Sequence, residues 1–414
     1  MTKQQARDLL FSGKRYNSQA EEVAKKISQQ TMERHAKWLV SQKYLLDQSD
    51  VDSVLSRQGE FCDPVIFEEK ERITENQRVL LEIEKAKVVE RMGQIEEKQK
   101  VLHKVVAHVA KETEKLMIAR MLKVDVNKLL WGFPDYSYFS SFAYSASLNF
   151  TKLGAMTTLS HSLRSNVLEL VSNAKFCELM GKKAKHTNDP KIAIGFMGIE
   201  NCRRLFPVLM TKPMLRWGDE NTKVIVPKIW QHSIVTANVA RMRLQDAGYK
   251  EPDEGVLIGI LRTLSYYAVC NYFSQVFEDA LIQVMTEYRE NEKTNEYFAC
   301  GDVKPTLSVL PRVFAKVDRA LTKRIVEHIE WDPKVMHLKN ALLEDISEVP
   351  ILQRSLHGVA LGQARAFSIY ETMNKSNAFV DKHAPYWFAH VQLDGIALRK
   401  IQDRGPGRMT LSVD

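Results

Sequence analysis

Glycine and proline are scarce, at 18 and 13 of 414 residues. That is too few for the closely spaced turns of an all-β chain. No uninterrupted apolar run approaches the ~20 residues that a membrane helix requires. The opening segment MTKQQAR has no apolar h-region, so no secretory signal is expected and the expected location is the cytoplasm. There is no CxxC pair. Cys62, Cys177, Cys202, Cys270 and Cys300 stand far apart, as reduced core thiols do, rather than disulfide or zinc ligands. HExxH, P-loop and dinucleotide-binding glycine patterns are also missing. What is present is ordinary globular material, 44% hydrophobic and 27% charged, long enough for two or three domains. The net charge of +8 is spread along the chain without a basic arm, so nucleic acid is not an expected partner.

Helical periodicity dominates. Segments 2–12 and 17–46 read as helices, with turns expected at 47–50 and 59–64. A charged helical run follows from about 65 to 124. Within it Leu81, Val88, Ile95, Leu102, Val109 and Leu116 recur every seven residues, and Met92 and Val106 fall four after the preceding members. Gln99 and Thr113 are polar at the equivalent places. This 3–4 stripe must be buried against something. One reading is a dimeric coiled coil, making the chain a homodimer. The other is an intrachain bundle with residues 17–46, which offer Val23, Ile27, Met32, Trp38 and Leu39. The polar breaks favour the bundle.

The composition changes at WGFP, residues 131–134. Beyond it, helices are expected over 159–174, 190–197, 199–211, 227–247, 254–269, 273–290, 306–327, 334–346, 350–374 and 384–403, then an extended tail. Strand-like alternation is nearly absent. The fold class is therefore all-α, divided into an N-terminal helical module (1–125), a multi-helix domain (126–349) and C-terminal helices packing on it (350–414). Asp189 and Pro190 form an N-cap and first-turn pair. Gly198 is expected as a left-handed cap, and Ile192, Phe196 and Ile199 as the buried face between them. Gly195 and Gly198 would permit close helix approach. Trp230, Ile234, Ala237 and Arg241 form one stripe; Leu257, Ile260, Leu261 and Leu264 form another.

Four segments taken in order resemble one family. They are LSHSLRSNVLELVSNAKF (159–176), DPKIAIGFMGIENCRRLFPVLM (189–210), KIWQHSIVTANVARMRLQDAG (228–248) and EGVLIGILRTLSYYAV (254–269). WDPKVMHLKNALLEDI (331–346) adds a weaker match. Their order and spacing resemble the HDOD domain, the all-helical output domain related to HD-type metal-dependent phosphohydrolases. A working HD site gathers imidazoles and carboxylates on divalent metal, which activates water for attack on phosphorus. The resemblance places the His-Asp pair on Arg262 and Thr263, and the first ligand on His232. Arg262 cannot ligate a cation, and one histidine does not hold a metal. The family's DPxL element reads Ser160-His161-Ser162-Leu163, and its Asn-Ser-Ala reads Ser172-Asn173-Ala174. Thus the resemblance implies a vestigial site at His232, Arg262 and Thr263, with no catalytic residue, metal or cofactor. It implies a non-enzymatic bacterial signal-transduction or scaffold protein acting through an unknown signalling partner, without membrane insertion. The alternative is a cyclic-dinucleotide receptor or a residual phosphohydrolase. Arg203, Arg204, Arg319, Lys323 and Arg324 are the candidate anion or partner surface, because Arg forks suit phosphates. The small residues Gly358, Gly362, Ala364 and Ala366 suggest a close helix seam, internal or between protomers. His103 and His108, five apart, lie about 140° apart around a helix and cannot share a metal on one face; His383 and His390, seven apart, would align, but Pro385 falls between and no carboxylate neighbour completes a set.

Overall fold

The computed structural model describes residues 2–14, 17–41 and 82–407, with side chains 82–89 and 94 left out. The turns expected at 47–50 and 59–64, Cys62, Leu81 and most of the tail lie outside the described residues, as does the Val88 side chain. Every regular element among them is helical, as expected. α1 (Lys3–Asp8) begins with a capping box between Thr2 and Gln5. α2 (Ser18–Val40) begins at Asn17, whose side chain accepts the Ala20 N–H. It ends earlier than expected, at an extended Ser41. α3 (Glu82–Lys123) is the long charged helix. Two short helices, α4 (Val126–Leu129) and α5 (Phe133–Phe142), make the joint where the composition shifts.

The expected bundle of α2 with α3 is not what buries the stripe. Val105 and Val109 pack with Phe277, Val284, Tyr288 and Cys300, and Met117 and Met121 enter the main core. The fully buried line runs Val105, Val109, Met117, Met121, with buried Thr113 between, its Oγ1 donating to the Val109 carbonyl at 2.7 Å. Steps of four advance ~40° each around a helix, so the line winds from one neighbour to the next. Met92 and Ile95 remain more than half exposed. Periodicity reveals that a face is buried but not which surface buries it.

The body follows in order: α6 (Phe150–Leu159), α7 (His161–Ser172), α8 (Ala174–Leu179), α9 (Pro190–Met197) and α10 (Ile199–Thr211). The expected helix over 159–174 is thus broken at Ser160. α9 has the expected Asp189 cap, which accepts the Lys191 N–H at 2.8 Å. Gly198 ends it at φ 82°, ψ 158°, a glycine-only region rather than the left-handed helical one expected. Its buried face is Pro190, Ala193, Ile194 and Met197; Ile192 points outward. Nothing approaches Gly195 or Gly198 closely.

The centre is α11 (Ile225–Asp246), buried on nearly every side, as only a core helix can be. α12 (Glu254–Leu261) lies on it through Gly255 and Gly259, where a Cβ would stand 2.4 Å from the Arg241 nitrogen and 2.5 Å from the Ala237 Cα. Close approach therefore occurs here. α13 (Leu264–Glu290) continues after a break at Arg262 and Thr263, not at the expected 270–272. Within residues 254–290 an 18-residue window has mean hydropathy 1.2, apolar enough by composition to span a membrane, yet 94% of that window is buried in the fold. α14 (Thr294–Ala299), α15 (Leu310–His328), α16 (Met336–Ile346) and α17 (Leu356–Lys375) complete the shell. α18 (Ala384–His390) and α19 (Gly395–Asp403) replace the single helix expected over 384–403. The small-residue seam on α17 packs internally, with a Cβ at Gly358 meeting the Glu344 carboxylate and one at Gly362 meeting Arg354. Cys177, Cys202, Cys270 and Cys300 are free and buried.

Candidate functional site

Two turns of α11, the α12–α13 break, α15, α16 and α17 converge on one buried polar cluster. Arg262 caps the end of α12 and is 1% exposed. Its Nη1 and Nη2 donate to the two Asp318 oxygens at 2.9 Å each, and its Nε donates to Asp345 Oδ2 at 2.6 Å. Ser265 Oγ donates to Asp318 at 2.6 Å. Arg354 reaches Asp345 at 2.7 Å, and Arg365 reaches it at 3.3 Å. Burial alone would lower the pKa of Arg262, but Asp318 and Asp345 more than reverse that, so it stays charged. Burial would raise both carboxyls, and the guanidiniums hold both below the usual range instead.

His232 lies beside this cluster without joining it. Its Nδ1 pairs with Ser368 Oγ at 2.8 Å, and the ring is 4.9 Å from that of His35 on α2. Burial, then Arg365 and Arg262, push its pKa down to about 3, so the ring is neutral. Thr263 Oγ1 pairs with Ser233 at 2.7 Å and donates to the Ile260 carbonyl. α2 closes over the site, with Trp38 2% exposed and Lys228 Nζ donating to the Trp38 and Ser41 carbonyls at 3.0 and 2.7 Å. Burial brings the Lys228 pKa down to about 7. These residues do not fit the metal that an HD site would hold. The Arg262 guanidinium stands between the two carboxylates, forms the break itself and bonds three of their four oxygens, Arg354 taking the fourth.

Residues 147–300 match the family model of the HDOD domain. The chain carries an HDOD domain. No curated protein and no solved structure gave a significant match. The matched segment holds His232, Arg262 and Thr263, but Asp318, Asp345, Arg354 and Arg365 come from beyond residue 300. The HDOD segment is therefore completed by the helices that follow it. Sequence reasoning missed these partners although a signal existed. Asp318 falls among Phe314, Val317 and Leu321, and Asp345 among Leu338, Ala341 and Leu342, so both carboxylates interrupt apolar faces.

The five basic candidates make separate contacts within the protein. Arg204 is buried, forking onto Asp253 with two 2.9 Å bonds, and Arg241 Nε meets the same carboxylate at 2.6 Å. Arg203 donates to the Ala143 carbonyl and Glu200, at 3.1 and 3.0 Å. Arg324 caps the end of α3 at the Met121 and Val124 carbonyls. Arg319 and Lys323 are exposed and pair with Glu348 and Glu327. Runs of basic residues do not say which of them the fold consumes.

A second cluster lies two turns up α12. Glu254 Oε2 meets His337 Nε2 at 2.9 Å and His357 Nε2 at 2.6 Å. Away from both clusters, a groove of about 600 Å³ opens between α6 and α9, lined by Phe150, Ala155, Thr158, Leu159, Lys191 and Gly195.

Proposed function

We propose that this HDOD protein is a non-catalytic signal-transduction scaffold that acts by binding another protein. The observation carrying this reading is the buried Arg262 guanidinium held by Asp318 and Asp345, where the resemblance places the family's His-Asp pair. A fixed organic cation there supplies charge balance without the Lewis acidity or metal-bound water that phosphate hydrolysis needs. The neutral, sealed His232 supports the same reading. Exposed Phe150 and Leu159, at 51% and 84%, flank the groove; clustered apolar exposure favours protein contact over a dinucleotide.

The test uses the purified full chain with manganese, iron or magnesium and three substrates: a phosphomonoester, a phosphodiester and a cyclic dinucleotide. No turnover above the metal blank and no dinucleotide binding are expected, and cross-linking in the native host should recover a second protein. Metal-dependent turnover that is lost in His232→Ala would overturn the reading. So would saturable dinucleotide binding, or recovery of the chain alone.

A further inference from the structure

Glu254 opens α12 and is 2% exposed, and His357, in the first turn of α17, is equally buried. His337, in the first turn of α16, keeps 24% of its side chain in solvent. The three come from separate helices, yet one oxygen and two ring nitrogens all lie within 4.8 Å of one another. The neighbouring carboxylate, Asp253, is taken by Arg204 and Arg241. Glu254 is different. Its side-chain partners are two imidazoles and the Tyr249 phenol, none of them a fixed cation. Burying a carboxylate is costly unless it is paired or coordinates a metal.

We infer that Glu254, His337 and His357 form a three-donor site for a first-row divalent cation, zinc foremost. Two imidazole nitrogens and one carboxylate oxygen are a borderline donor set that suits zinc. Donors about 2.0–2.1 Å from a tetrahedral ion stand ~3.3 Å apart. The observed 2.9 and 2.6 Å separations therefore need the rings to withdraw by less than ~1 Å. Each Nε2 then presents its lone pair, and the neutral ring keeps its proton on Nδ1. The fourth position opens on the partly exposed His337 side, where water completes the shell. The site is separate from the HD position: Arg262 is eight residues on, roughly 12 Å along α12. Bound there, the ion joins the first turns of α12, α16 and α17 at one point.

The full chain, stripped with chelator and desalted, is titrated with zinc chloride alone. One equivalent should bind and raise the unfolding temperature, and cobalt chloride should give the visible bands of a four-coordinate ion. Glu254→Gln keeps the size and hydrogen bonds, and His337→Ala alters a partly exposed ring. Each should weaken binding by at least ~100-fold, more than the loss of an outer-shell partner. Failure of the wild type to retain an equivalent of zinc would overturn the proposal. So would binding that neither substitution changes, or a cobalt spectrum of the free aquo ion.

Discussion

Replacing Arg262 by methionine keeps an unbranched apolar stem and removes the guanidinium. Two arguments point in opposite directions. By charge count, Arg262, Arg354 and Arg365 face only Asp318 and Asp345, so deletion leaves two against two and should cost little. By geometry, Arg262 makes three bonds of 2.6–2.9 Å, whereas Arg365 stands 3.3 Å from Asp345 and 3.9 Å from Asp318. Asp345 keeps Arg354 at 2.7 Å, but Asp318 is left with the Ser265 hydroxyl and a distant guanidinium. Geometry should win, because a buried charge stripped of its partner costs about 3–5 kcal/mol. Arg262→Lys keeps the charge but cannot bridge both carboxylates, and should fall between. Adding Asp318→Asn to Arg262→Met should recover about 2 kcal/mol, since no carboxylate is then left without a close partner. Urea unfolding followed by far-ultraviolet circular dichroism and tryptophan fluorescence reads this out, provided the two probes coincide. With a slope of ~3 kcal/mol per molar, a loss of ~4 kcal/mol moves the midpoint by more than ~1 M. A methionine variant within ~1 kcal/mol of wild type would refute the geometric account.

Gly259→Ala should destabilise by about 1–3 kcal/mol or more, because its Cβ meets the Ala237 backbone. Gly195→Ala has open space and should stabilise by about 0.5–1 kcal/mol; thermal melts of the two variants should shift in opposite directions. Acid should weaken the fold from below pH 6.5. His232 is held to about 3 by burial, so the unfolded chain takes up a proton that the folded chain refuses, worth up to about 5 kcal/mol at pH 3. Glu254, lowered to about 2, adds a loss as pH falls from 4.5 toward 2, so a urea midpoint that is flat between pH 7 and pH 5 would contradict the His232 assignment. Val109→Asp places an unpaired carboxylate at a 0% exposed position and should cost several kcal/mol. The undocking should leave scattering mass per particle unchanged; a halved mass would instead mean that the stripe joins two chains.

The all-α class, α9 and α10 and the α11 core were all legible in the sequence. Helical periodicity, Asp-Pro caps and residue chemistry are local properties that act over one or two turns. Where the stripe of α3 lies was not legible, because an apolar face is complementary to many others and only packing selects between α2 and α13. Gly255 and Gly259, not Gly195 and Gly198, carry the close helix contact, since a glycine's role depends on what comes opposite it. Arg262 could be read as unable to bind metal. That it pairs with carboxylates 56 and 83 residues away was settled only when α15 and α16 closed over it. The gathering of Glu254, His337 and His357 is likewise a product of three helix starts meeting. No local spacing encodes such a meeting, because its cause is the burial of apolar faces elsewhere on the same helices.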